Sequence, residues 1–287
     1  MSIPRQKLLF MCILGSFLAC PDAPAEDKLY THQGGSQAGR ITHVDGDGVW
    51  MDLGGAQSKF ARTDISRVEI PVPDAANEGF KLYQDGKYAA AIAKIEPVVK
   101  QYEGLPQDWI EQAGYILAKC YLKTRDFTRA LDCFGRAQKY YQDSPRISTA
   151  ISGVAQAQFG LKNEDAAARL LEPLVAEREK LLDLSDIDKE DMGCAFLTLG
   201  KCYHSKGEKE KALECFLKVI ALYYTDPSAV SEATYWSGIE FEAMNNLQRA
   251  VGQYKDFLKA AADSPLADDV KKRLQKLETT TSQRSPS

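Results

Sequence analysis

The chain has 287 residues, 44% of them hydrophobic, and a formal net charge of −4. That composition supplies a sizeable core for one or two domains and excludes a disordered or fibrous chain. The charges are mixed along the sequence with no basic block, which argues against a nucleic-acid partner, because such a partner needs a basic face.

The first segment is unlike the rest. Arg5 and Lys7 precede the apolar run LLFMCILGSFLAC (8–20), too short to span a bilayer as a mature helix. Ala23 and Ala25 in the following PDAPAED match the small-residue pattern that a signal peptidase cleaves. Residues 1–25 are therefore read as a secretory signal peptide, leaving Glu26 as the first residue of the exported chain. The alternative is lipidation at Cys20, after FLA, which would tether the protein to a membrane.

Residues 26–71 read as a small β module. GRITHV (39–44), GVWMDL (48–53), SKFART (58–63) and ISRVEI (65–70) alternate apolar and polar residues at period two. DGDG and GG between them are turn formers, since glycine accepts positive φ without steric penalty. The expectation is a β-meander or a compact SH3-like or Sm-like barrel, closed by PVP (71–73), which cannot continue a central strand. DGDGVWMD begins like an EF-hand loop, but Val49 stands where an oxygen ligand is needed and Trp50 where glycine is needed, so it reads as a hairpin turn. GGSQA (34–38) lacks the strand–helix setting of a nucleophile elbow and reads as a loop.

From Asp74 to Leu277 the pattern is helical, with alanine and aromatic residues recurring at three- and four-residue spacing. The phrase KCY occurs at 119–121 and again at 201–203, followed by ALDCF (130–134) and ALECF (212–216). Aligning the copies puts Leu117, Ala118 and Tyr121 over Leu199, Gly200 and Tyr203. The slots Gly79, Leu82, Gly86, Tyr88, Ala91 and Ile95 repeat the theme upstream, and Gly238, Phe241, Asn245, Ala250 and Tyr254 repeat it downstream.

This slot pattern resembles the tetratricopeptide repeat, which has a small residue and an aromatic on its first helix, then alanine and an aromatic on its second. The resemblance implies a mainly α fold, an α-solenoid of five helical hairpins over 72–265, with units beginning near 72, 111, 148, 193 and 231. The third unit fits worst, since Gln158 replaces the expected aromatic. LADDVKKRLQKL carries Leu266, Val270, Leu274 and Leu277 on one stripe and reads as a capping helix over 266–278. The polar residues 279–287 are expected to be disordered. The long units, closing in DSP or TDP, resemble bacterial cell-envelope repeat proteins of the outer-membrane assembly and Tol–Pal coordinator types. That likeness implies a periplasmic protein, or a membrane-anchored one if Cys20 is lipidated.

The repeated cysteines raise the question of a metal or redox site. Cys120/Cys133 and Cys202/Cys215 share one spacing, but zinc ligation wants short spacings such as Cys-x2-Cys, and His32, His43 and His204 are scattered. The favoured reading is that cysteine fills equivalent buried slots in two related units. The alternative is a pair of disulfides, Cys120–Cys133 and Cys202–Cys215, which the oxidising compartment would permit.

No HExxH, phosphate-binding glycine loop or nucleophile set is present, so an enzyme is not expected and no cofactor or metal is implied. The resemblance implies instead a non-enzymatic scaffold that binds other envelope proteins in the concave groove of its repeats. In such repeats the first helix of each unit lines the groove, which places Tyr115, Lys119, Leu122, Lys123, Leu197, Lys201, His204, Tyr235 and Glu242 there. The lysine–asparagine clamp of chaperone-binding relatives is absent, because Tyr115 and Lys119 stand in its positions. A second reading makes the β module a receptor for cell-wall polymer or a small ligand.

Overall fold

The computed structural model describes residues 26–181 and 183–284. The signal-peptide reading of 1–25, the lipidation alternative at Cys20 and the last three residues of the tail lie outside the described residues.

Among the described residues five strands come first: β1 (Asp27–Thr31), β2 (Ser36–Val44), β3 (Gly48–Asp52), β4 (Gln57–Ala61) and β5 (Ile65–Glu69). They form one antiparallel sheet in the order β4-β3-β2-β1-β5. A single 3-10 turn, Arg62–Asp64, carries the chain from β4 across to pair β5 with β1, the connectivity of an SH3-like barrel. Two details depart from the sequence reading. β1 carries only Leu29 and Tyr30 as large apolar residues, too few to show a period, yet its pairing with both β2 and β5 makes it a central strand. Of the segment read as a loop, Ser36–Ala38 belongs to β2, where Ser36 pairs with Tyr30 and Ala38 with Lys28. In the Asp-Gly-Asp-Gly turn, Asp45 accepts from the Gly48 N–H at 2.8 Å and from Trp50 Nε1 at 2.7 Å. These bonds fix a hairpin turn.

Ten helices follow in pairs: α1 (Asp74–Gln84) and α2 (Tyr88–Tyr102), α3 (Asp108–Lys123) and α4 (Phe127–Tyr140), α5 (Ile147–Gly160) and α6 (Glu164–Arg178), α7 (Asp186–Ser205) and α8 (Lys209–Ala221), α9 (Pro227–Ala243) and α10 (Leu247–Ala260). Each hairpin turns through the same device. The first helix ends on a residue at positive φ: Gly86, Arg125, Lys162, Gly207 and Asn245 in turn. The next N–H then reaches back to the last turn of that helix, as from Asp126 to Tyr121 O (2.9 Å) and from Asn163 to Gln158 O (2.9 Å). This is the helix-ending motif for which glycine is preferred. Gln158, the misfit of the third unit, supports its turn by accepting from the Asn163 amide at 2.8 Å.

Packing follows the small and aromatic slots. Ala91, Ala130, Ala167, Ala212 and Ala250 are fully buried, one in each second helix. Gly200 lies against the Phe216 ring and Gly238 against Tyr254, so close that a Cβ on either glycine would overlap the ring. Gly153 meets Phe134 of the preceding hairpin in the same way, which ties hairpin two to hairpin three. The helix α11 (Ala267–Arg284) closes the stack with Ala267, Val270 and Leu277 buried against α9 and α10. It runs past the expected end at residue 278, so 279–284 are helical rather than disordered. Extending a helix that packing has already nucleated is far cheaper than starting one, and polar residues can do it.

The β module is not a separate bead. Leu29, Ile41, Val49, Met51, Val68 and Ile70 share one core with Ala76 of α1, Val98 and Tyr102 of α2, and Trp109 and Ile110 of α3. It covers the end of the stack that hairpin one would otherwise leave exposed.

Candidate functional site

The first helices of successive hairpins, α1, α3, α5, α7 and α9, contact one another in sequence and form the inner face. A cavity of about 570 Å³ opens on that face, lined by α3, α5, α7 and the start of α9. Ion pairs cross it between hairpins. Lys119 of α3 reaches Glu190 of α7 at 3.1 Å, and Lys201 of α7 reaches Glu232 of α9 at 2.5 Å. Burial pulls the Lys119 ammonium toward neutrality, but the Glu190 carboxylate and Tyr83 beside it outweigh this and hold it above its ordinary value. Asp191 accepts from Thr149 Oγ1 at 2.5 Å and from Ser148 Oγ at 3.3 Å. Burial is the main reason its carboxyl is raised above the usual range.

Of the residues expected in the groove, Lys119, Leu122, Lys123 and Lys201 line this one cavity. Others do not. Tyr115 (4% exposed) and Leu197 (7%) are packed between helices, so neither serves as an apolar anchor for a partner. Each four-residue step along an α-helix drifts by about 40°, so two steps back from Lys123 the stripe has turned into the core. Tyr235 is buried between α9 and the cap, its hydroxyl donating to Asp269 at 3.0 Å. Glu242 accepts from Arg273 at 3.1 Å and from the Tyr254 hydroxyl at 3.0 Å, which fastens α11 to hairpin five. His204 lies at the seam of α7 and α9, its Nδ1 2.5 Å from the buried Glu240 carboxylate and its ring against Trp236.

The five cysteines among the described residues are free thiols, so the disulfide alternative is not realised, and Cys120, Cys133, Cys202 and Cys215 are all buried. They are packing residues of two related hairpins. Among the described residues no cluster of His, Cys, Asp and Glu could hold a metal ion.

Sequence reasoning missed two groups in the cavity. One is the polar floor of Thr149, Ser152 and Thr198, which reads in the sequence as ordinary helix surface. The other is the pair Arg125 and Lys162, which line the cavity from the turns of hairpins two and three. Their signal was present: aligning the turn slots puts both opposite Gly86, Gly207 and Asn245.

The fold is thus an α-solenoid of helical hairpins with a β cap at one end and a helical cap at the other, and its inner face carries the candidate site. Hairpins two and four match the tetratricopeptide repeat, over residues 112–144 and 195–223. Solved structures share the arrangement at low identity. The Rap protein complexed with competence and sporulation factor is 15% identical over 71% of this chain and 56% of that one, with a TM-score of 0.56. The Cut9–Hcn1 assembly of the APC/C is 10% identical over 71% of this chain and 35% of that one, also at 0.56. A tetratricopeptide repeat protein from Parabacteroides merdae is 16% identical over 71% and 70%, at 0.50. No sequence among the curated proteins matches this chain. Tetratricopeptide repeats act as protein-interaction scaffolds.

Proposed function

We propose that the protein is a non-catalytic scaffold of the bacterial cell envelope that holds an extended or helical segment of another envelope protein along α3, α5 and α7. The observation that carries this reading is the cavity on the inner face, which gathers side chains from all five hairpins and is walled mainly by the first helices α3, α5 and α7. The basic flank, apolar run and Ala-x-Ala site of residues 1–25 support export to the periplasm. A photo-crosslinker at Leu122, on the cavity wall, should capture a discrete envelope partner in living cells. The same group at Lys259, on the second helix of hairpin five, should not. Equal capture at both positions, or none at Leu122, defeats the groove reading. Intact mass of the mature protein tests export: an N-terminal Glu26 supports a soluble periplasmic form, and a diacylated Cys20 supports an anchored one.

A second reading rests on a cavity of about 750 Å³ between β2 and the linker of residues 71–73, lined by Asp27, Arg40, Asp52 and Tyr102. It would let the β module take cell-wall polymer or a small ligand. Co-sedimentation of residues 26–287 with purified cell-wall sacculi tests it, with Arg40→Ala as the variant that should lose binding.

A further inference from the structure

The charges that line the groove cavity are not equivalent. Lys119 and Lys201 are neutralised by Glu190 and Glu232. Asp191 is bonded by two hydroxyls, and Asp226 caps α9 by accepting from the Ser228 N–H at 2.8 Å. Lys123, Arg125 and Lys162 line the same cavity, and none has a carboxylate partner among the described residues. Three unpaired cations gathered at one edge stand out on a molecule of net charge −4.

Two of them stand where a side chain is disfavoured. Arg125 (φ 62°) and Lys162 (φ 67°) hold the left-handed position that hairpins one and four give to glycine. A non-glycine residue there is strained, and such strain gathers at functional positions. Hairpin five also departs from glycine there, but with Asn245 (φ 58°), a residue type that tolerates the left-handed region. The two hairpins that place a long cationic side chain in the slot are adjacent and flank the cavity. Beside the cations stand Phe127 and Phe159, which give the same edge an apolar surface.

We propose that this edge, formed by the turns of hairpins two and three, binds an acidic segment of the partner, its carboxylates on Lys123, Arg125 and Lys162 and an apolar residue against Phe127 and Phe159. The inference rests on the scaffold reading and adds the chemistry of the occupant. It differs from capture of a chain terminus, because the cations come from helix-ending turns and can meet side-chain carboxylates anywhere along a segment.

The test uses residues 26–287 and a fluorescein-labelled eight-residue peptide of alternating acidic and Leu/Phe residues, blocked at both ends, compared with its Asn/Gln counterpart. Fluorescence polarisation in low salt should show the acidic peptide binding about tenfold more tightly than the amide peptide, with the difference shrinking as salt rises. The variant Lys123→Ala/Arg125→Gly/Lys162→Gly should bind the acidic peptide about tenfold more weakly. Its melting temperature should be unchanged or higher, since glycine accepts the left-handed turn and removes the strain. The control Lys259→Glu should bind like wild type. Equal binding of the two peptides overturns the proposal, as does full binding by the triple variant. Binding of phosphatidylglycerol vesicles with no binding of the acidic peptide also overturns it, by assigning the edge to a lipid surface. A failed peptide with intact crosslinking at Leu122 removes the acidic occupant and leaves the scaffold reading standing.

Discussion

Gln107 meets Ile70 as a neighbouring strand would. Its Oε1 accepts from the Ile70 N–H at 2.9 Å, and its Nε2 donates to the Ile70 carbonyl at 2.9 Å. Trp109 Nε1 donates to the same carbonyl at 2.9 Å. The end of the β module is thereby bonded to the start of α3, across the whole of hairpin one. An end repeat of a solenoid needs its outer face covered, and here a β-sheet does so.

Gln107→Ala should lower stability by about 1–3 kcal/mol, because it leaves the buried Ile70 N–H without its partner and the Ile70 carbonyl with only the Trp109 indole. Urea unfolding measures the loss, and hydrogen exchange at the Ile70 amide should accelerate by a similar free energy. A chain starting at Asp74 should melt well below the full protein, since Val98, Tyr102 and Trp109 lose their cover. An unchanged melt for that truncation would show the β module to be an independent domain.

Glycine substitutions should divide by sign. In Gly153→Ala, Gly200→Ala and Gly238→Ala the new Cβ would lie within 2.6 Å of Phe134, Phe216 and Tyr254 respectively, and overpacking of this kind costs about 1–3 kcal/mol. At Gly114, Gly135 and Gly252 a Cβ meets nothing within 4 Å, so Ala there should stabilise by roughly 0.5–1 kcal/mol through helix propensity. Ala130→Phe and Ala212→Phe should behave like the first set, each replacing a fully buried alanine at a helix crossing. Thermal melts followed by circular dichroism separate the groups.

Tyr115 offers a test of the corrected groove. Its hydroxyl is buried with no hydrogen-bond partner among the described residues. Tyr115→Phe should therefore leave stability unchanged or raise it by about 1 kcal/mol, since an unsatisfied buried group is removed. Tyr115→Ala should destabilise by about 3–5 kcal/mol through a core cavity. A large loss in the Phe variant, read by denaturant midpoint, would mean that the hydroxyl is bonded after all.

The protein should lose stability in alkali. Burial pushes the thiols of Cys120 and Cys215 up to about 12 and those of Cys133 and Cys202 up to about 11, from an ordinary value of 9.0. Burial also moves the Tyr102 and Tyr121 hydroxyls up to about 12. Each group keeps its proton longer when folded, so its contribution is complete below the unfolded value and declines as pH rises from 9 toward 12. The urea midpoint should hold steady from pH 7 to 8.5 and fall above 9. At pH 8 the four thiols should react slowly with iodoacetamide until denaturant is added. Fast labelling of the folded chain would show the thiols to be accessible.

Much of this architecture is written locally. A small residue, an aromatic three positions on, a tight turn and then alanine define a helical hairpin within about forty residues, because helix period and turn chemistry act over that range. The copies Leu117–Phe134 and Leu199–Phe216 therefore announce the repeat, and Leu266 to Leu277 announce the cap. What the inner face presents was decided only by the stacking of hairpins. Lys119 meets Glu190 across 71 positions, and that meeting depends on how tightly the hairpins curve. The same curvature buries Tyr115 and Leu197 while leaving Lys123, Arg125 and Lys162 unpaired around one cavity. β1 became a central strand because two others pair with it, and the β module became a cap because hairpin one had an apolar end to cover. Residues in one helix have fixed neighbours three and four positions away. Which residues meet from different hairpins is set by the packing of whole elements, and no local pattern encodes it.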